Sequence, residues 1–179
     1  VTSMENIPTT SKLRDLNFLV IDVETTGNKS RKNRICEIGC VKGRFSEPPT
    51  TFESLINPKE SMNKYAQRIH RIPPSEIRKA PPFAQVAPQL SSFASGSDIL
   101  ITHNYALVQR CLAAELVAPH CDSMPYIIID AMHIFRRQFK RNYISNKFED
   151  LHLALHLNCE RPNHRALVDA IATWHLFLW

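Results

Sequence analysis

The sharpest hydrophobic-to-polar pattern in the chain is NFLVIDVETTG at residues 17–27, where an apolar run carries two acids and ends in a breaker. Residues 18–21, with Val23 just beyond, read as a buried strand. Residues 35–41 (ICEIGCV) and 51–56 (TFESLI) read as two more, the latter closed by Asn57-Pro58. Short links between the three predict an antiparallel meander. Residues 61–88 read as short helices interrupted by Pro73-Pro74 and Pro81-Pro82. A helix over 82–93 then leads to an apolar strand at 98–102, and Asn104 is placed to cap a helix over 105–117. A fifth strand at 126–129 feeds a helix from Asp130 to about residue 141, with Ile134, Phe135 and Phe139 inward and Arg136, Arg137, Lys140 and Arg141 on a solvated face. The last third holds a helix over 148–157 and an amphipathic helix opened by residues 163–170 and running to Trp179.

Asp22 and Glu24 carry the first chemical signal. Positions i and i+2 of a strand face one side, so both carboxylates point at one spot. Two like charges held close together need a positive partner, and a hard divalent cation, Mg²⁺ or Mn²⁺, suits oxygen ligands. Without its flanks, D-x-E would read as an edge strand with two solvated acids; the apolar run before it and the Thr25-Thr26-Gly27 breaker after it favour the buried site. Gly27 permits a sharp turn or the close approach of a ligand. His164 and Asp169 form a second pair: Asp169 sits among apolar neighbours, where an acid needs a partner, and His164 near the helix start can project toward the same place. Residues 28–34 (NKSRKNR) are either a phosphate-gripping loop or a solvated turn. Residues 67–72 (QRIHRI) form a basic patch able to touch a nucleic-acid backbone. His152, His156 and Cys159 have a zinc-like spacing but lack a second pair of ligands, which favours ordinary helix histidines.

Composition narrows the class. The 179 residues, 44% hydrophobic and 22% charged, are those of one ordinary globular domain. We expect residues 1–16 to be a loose leader and 17–179 a single domain, and the chain reads as a candidate piece of something longer. No apolar run reaches membrane-spanning length, no signal-peptide pattern opens the chain, and five cysteines without CxxC pairing point to reduced thiols in the cytoplasm. A formal charge of +5 favours a polyanionic partner.

Taken in order, IDVETTG at 21–27, ICEIG at 35–39, IHRI at 69–72, ITHN at 101–104, DA at 130–131 and HRALVDA at 164–170 resemble the RNase H-like 3′–5′ exonucleases of the DEDDh type, including the proofreading epsilon subunit of bacterial DNA polymerase III. The resemblance covers residues 17–179. It implies an α/β fold with a five-stranded mixed sheet, three strands antiparallel and then two parallel, flanked by helices. It further implies two-metal hydrolysis of a 3′-terminal phosphodiester. In that scheme Asp22 bridges both ions, Glu24 and Asp169 hold the one that activates water, and His164 is the general base. Thr25, Thr26, Gly27, His103 and Asn104 hold the terminal nucleotide.

Two positions depart from the family. Its second motif runs H-N-x-x-F-D, and here His103-Asn104-Tyr105-Ala106-Leu107 is followed by Val108 where the acid belongs. Valine has no lone pair, so the second metal site is weakened. Neither Gln109 nor Glu115, about two turns on, is an easy replacement. Arg71 stands where the family usually has a small residue. Val108 leaves three explanations open: a diverged site of reduced activity, a substitute ligand, or a deliberate change that traps substrate. Two functions follow. One is an exonuclease acting on single-stranded or frayed 3′ ends of DNA or RNA. The other is a non-cutting module that binds such ends or docks on a polymerase or repair partner. Restoring the acid, Val108→Asp, is expected to raise cleavage while leaving the fold intact.

Overall fold

The alternation of β1 (Phe18–Thr25) decides which layer each of its side chains enters. Leu19, Ile21 and Val23 point to one face of the sheet and join a core with Ile38, Val86, Leu90 and Leu112. Phe18 and Val20 point to the other and join Val41, Ile101, Trp174 and Leu176. Asp22 and Glu24 continue the second face. The protein is seen as a computed structural model that describes residues 12–27, 33–115, 124–125, 127–139, 148–157, 159 and 164–178.

β2 (Ile35–Gly43) and β3 (Thr50–Leu55) follow β1, and β4 (Ile99–Thr102) and β5 (Ile127–Asp130) complete a five-stranded sheet in the order β3-β2-β1-β4-β5. The β1–β2 and β2–β3 pairs are antiparallel, whereas β1–β4 and β4–β5 are parallel. This is the RNase H-like mixed sheet that the motifs imply. Tight links suffice for the antiparallel pairs, while each parallel return needs a helical crossover.

Three helices separate β3 from β4: α1 (Lys64–His70), α2 (Pro74–Lys79) and α3 (Phe83–Ala94). The prolines that punctuate the sequence set their boundaries, with Pro74 in the first turn of α2 and Pro82 as the cap of α3. α4 (Tyr105–Glu115) joins β4 to β5, followed by α5 (Ala131–Phe139), α6 (Phe148–Ala154) and α7 (Ala166–Leu178). The amide of Leu107 donates to Asn104 Oδ1 at 3.3 Å, the expected cap of α4. Asp130 caps the starts of both α4 and α5 by accepting from the amides of Tyr105 (3.2 Å) and His133 (3.0 Å).

Some expectations need correction. Ile134 is 47% exposed, so α5 turns Phe135 but not Ile134 into the core. α6 ends at Ala154 rather than 157, because His156 adopts a left-handed φ of 49°. α7 starts after His164, not before it. Leu16, assigned to a loose leader, is buried in the second core. Residues 1–11, Lys29, Arg31, Lys32, Val117, Tyr126, Lys140, Arg141, Asn163 and Trp179, and the side chains of Arg136 and Phe139, lie outside what the structure describes. Cys36, Cys40, Cys111 and Cys159 are unpaired. Among the described residues, no helix is long and apolar enough to cross a membrane.

Candidate active site

The site begins with strand register. On the second face of the sheet, Val20 lies opposite Val41, Asp22 opposite Gly39, and Glu24 opposite Glu37. Gly39 is what lets α7 reach this row of acids. A Cβ on Gly39 would lie 2.2 Å from the backbone of Ala166 and Leu167, so the helix rests directly on the strand where the side chain is missing. A Cβ on Gly43 would lie 3.3 Å from the Trp174 ring as well as 3.1 Å from Pro49. Seated on these two glycines, α7 carries Asp169 against the face that bears Asp22 and Glu24.

Glu37 and Arg165 lock the start of that helix. Arg165 donates twice to Glu37 Oε1, from Nε at 2.9 Å and from a terminal nitrogen at 2.7 Å. The Ala166 amide donates to Glu37 Oε2 at 2.8 Å, so one carboxylate serves as both ion-pair partner and cap. Glu37 is 3% exposed. Both residues fall within motifs of the sequence, ICEIG and HRALVDA, whose pattern assigns neither a task. The available signal was an acid in the middle of an apolar strand, which requires a partner.

One ligand atom from each of Glu24, His164 and Asp169 lies within 4.8 Å of the other two. Among the described residues this is the one such group of His, Cys, Asp or Glu. His164 reaches it from just outside α7, at a left-handed φ of 61° and exposed to solvent. Asp22 falls outside the three-way group but stands electrostatically beside it. Burial, and then the Asp169 carboxylate, hold the Asp22 carboxyl well above the ordinary range. Glu24 is pushed up to about 10, first by burial and then by Asp22, Asp169 and Glu37, with Arg165 opposing. Acids crowded in this way hold protons until a cation replaces them. Two carboxylates and an imidazole, with a third acid alongside, form a donor set that fits a hard divalent ion.

The turn after β1 is held internally. Thr25 Oγ1 donates to the Gly27 carbonyl at 2.6 Å, and Thr26 Oγ1 donates to Glu60 while accepting from the Arg34 amide. The Asn63 amide donates to the Thr26 carbonyl at 3.0 Å, which ties the cap of α1 to this turn. His103 and Asn104 leave β4 at the sheet edge where β1 presents Asp22 and Glu24, since the two strands run parallel with Val20 beside Ile101.

Val108 is 1% exposed and packs in the first core with Leu19, Ile21 and Val23. Glu115 is also committed. Its carboxylate accepts from the Ile35 amide at 3.2 Å and pairs with Arg34 at 3.4 Å. Two other histidines, His70 and His152, are structural. In the basic patch, His70 is 2% exposed, and its Nδ1 accepts from the Ile72 amide at 3.0 Å, which places the ring proton on Nε2, 3.2 Å from the Met62 sulfur. Buried His152 donates from Nε2 to the Cys159 carbonyl, so the zinc-like spacing resolves into a loop tie.

The chain matches the family model described as exonuclease (RNase T) over residues 19–177. It is 27% identical over 166 residues to the PolC-type DNA polymerase III of Caldanaerobacter subterraneus subsp. tengcongensis, an alignment covering 90% of this chain and 11% of that protein. It is 28% identical over 167 residues to the 3′-5′ exonuclease DinG of Bacillus subtilis, covering 90% of this chain and 17% of the relative. The chain thus spans only a small part of these relatives. Among solved structures, exonuclease X in complex with 5′ overhanging duplex DNA superposes with a TM-score of 0.71 at 25% identity, covering 90% of this chain and 89% of that one. With the acids of β1 gathered against His164 and Asp169 on a matching fold, this chain belongs to the RNase T exonuclease family, with a reduced metal-ligand set in which Val108 occupies an acid position.

Proposed function

We propose that this domain hydrolyses the 3′-terminal phosphodiester of single-stranded or frayed DNA or RNA, using Mg²⁺ or Mn²⁺ with its second metal position weakened. The convergence of Glu24, His164 and Asp169 beside half-buried Asp22 carries the reading. Asp22, Glu24 and Asp169 would hold the cation, which when bound polarises the phosphoryl group and acidifies water. His164 accepts the proton of the attacking water. As an exposed imidazole on an αL residue outside α7, it reaches the site from the solvent side. Thr25, Thr26, Gly27, His103 and Asn104 border the same sheet edge and would hold the terminal nucleotide. Among them, Thr25 and Thr26 contribute chiefly by fixing the turn, since their hydroxyls already donate to Gly27 and Glu60.

One observation favours a second reading, a module that binds nucleic-acid ends, or a polymerase or repair partner, without cutting them. Val108 is core, and Glu115 is engaged by Arg34 and Ile35, so neither supplies the missing ligand. The deciding experiment uses a 5′-labelled single-stranded oligonucleotide, DNA and RNA in parallel, with Mn²⁺, Mg²⁺ or EDTA. A ladder shortening from the 3′ end, abolished by EDTA and by Asp22→Ala, supports the exonuclease. Retained binding with no ladder selects the non-cutting module.

A further inference from the structure

Arg71 occupies a backbone position where an arginine is unexpected. It closes α1 at φ 58°, in the left-handed region that favours glycine, so its side chain is kept at a conformational cost. It is exposed and lines a surface groove with Lys64, Gln67, Arg68, Ile72 and Pro73. Positions 64, 67, 68 and 71 follow the i, i+3, i+4, i+7 spacing of one helix face. Lys64, Arg68 and Arg71 therefore form a cationic stripe about 10 Å long at 1.5 Å per residue. None of the three makes an ion pair among the described residues, whereas Arg34 and Arg165 both do. Beside the stripe, Tyr65 is 62% exposed, although an aromatic ring gains from being covered. The start of the stripe lies next to the turn that follows Glu24, because the amide of Asn63, just before Lys64, donates to the Thr26 carbonyl.

We propose that this face of α1 is a track for single-stranded nucleic acid, in which Lys64, Arg68 and Arg71 contact successive backbone phosphates and Tyr65 stacks on a base. Free cations in a groove match a polyanion, and a neighbouring exposed ring selects a strand whose bases are unpaired over an acidic peptide. The inference rests on the nucleic-acid reading of the site and adds a determinant of strand affinity to it. Arg71 thus accounts for its own departure from the small residue usual in the family.

The test is binding of a fluorescent single-stranded oligonucleotide in EDTA across a salt series, for the whole chain and for Arg71→Gly and Tyr65→Ala. Glycine suits the left-handed backbone, so Arg71→Gly is expected to melt no lower than the parent. Its log-affinity against log-salt slope should be shallower by about 0.7, the value of one single-strand phosphate contact. Tyr65→Ala should weaken binding about tenfold and lose its effect on an oligonucleotide that is abasic throughout. An unchanged salt slope in Arg71→Gly overturns the track even where the parent binds and cleaves. Equal displacement of the oligonucleotide by poly-glutamate at matched charge overturns the assignment to nucleic acid at this face. A parent chain that neither binds nor cleaves the oligonucleotide overturns the underlying functional reading together with the track.

Discussion

Gly39→Ala tests how the active site is assembled, because it adds one methyl group to a residue that carries no chemistry. The new Cβ would lie 2.2 Å from the Ala166 carbonyl carbon and the Leu167 nitrogen, whereas ordinary contact starts at 3.4 Å. The obstacle is helix backbone, which cannot rotate away, so α7 must retreat from β2 by about 1 Å. Overpacking of this kind costs about 1–3 kcal/mol or more. The gain from a less flexible unfolded chain, about 0.4–1 kcal/mol, does not offset it. Retreat also stretches the Glu37–Ala166 bond, now 2.8 Å, and carries His164 and Asp169 away from Glu24. A shift of about 1 Å in reacting groups is enough to cost on the order of 10²-fold in rate. Urea denaturation should show a lower midpoint with an unchanged slope, and the Mn²⁺-dependent cleavage rate should fall by roughly that factor at a temperature where the variant stays folded. Parental stability and parental cleavage together would refute the claim that contact between the α7 backbone and Gly39 positions the site.

Other consequences follow from the same electrostatics and packing. Glu24 is raised from 4.5 to about 10, so between those values the folded, metal-free protein binds more protons than the unfolded chain. The contribution of protonated Glu24 to stability in EDTA is therefore fully present below pH 4.5 and is lost as pH rises toward 10, while the melting increment from Mn²⁺ grows over the same range as the acids ionise; an increment equal at pH 5.5 and pH 8.5 would contradict this. Asp169→Asn removes a charge that raises both Asp22 and Glu24. Measured by thermal melting at pH 8, the variant should be more stable than the parent in EDTA and should gain little from Mn²⁺, and a full metal response would argue against Asp169 as a ligand. Val108→Asp places a carboxyl at a position 1% exposed among Leu19, Ile21 and Val23. A buried, unpaired charge costs about 3–5 kcal/mol, so the expectation that this change leaves the fold intact does not survive the burial of Val108. An unchanged denaturation midpoint would show that the new acid finds a partner or solvent.

Strand alternation and helical spacing depend on residues near one another in the chain, so the sequence alone determined the five strands, the proline-bounded helices and the shared face of Asp22 and Glu24. The order and spacing of IDVETTG, ICEIG and HRALVDA were equally legible, and with them the family. Helix ends were read less well where a single backbone angle decides them, as at His156 and His164, both left-handed without glycine. Tertiary structure alone decided the roles of Glu37, Arg165 and Gly39. These residues are separated from their partners by more than a hundred positions, and their importance appears only when α7 lies across β2. The same holds for Glu115, occupied by Arg34 from 81 positions away; the ties of His152 to the Cys159 carbonyl and of His70 to the Ile72 amide are close in sequence, and the turn of the backbone after each helix decides them. Chemistry-bearing residues could be named from the chain because their types are rare in apolar surroundings. Which of them meet is a matter of register and of one missing Cβ, and that is settled only in three dimensions.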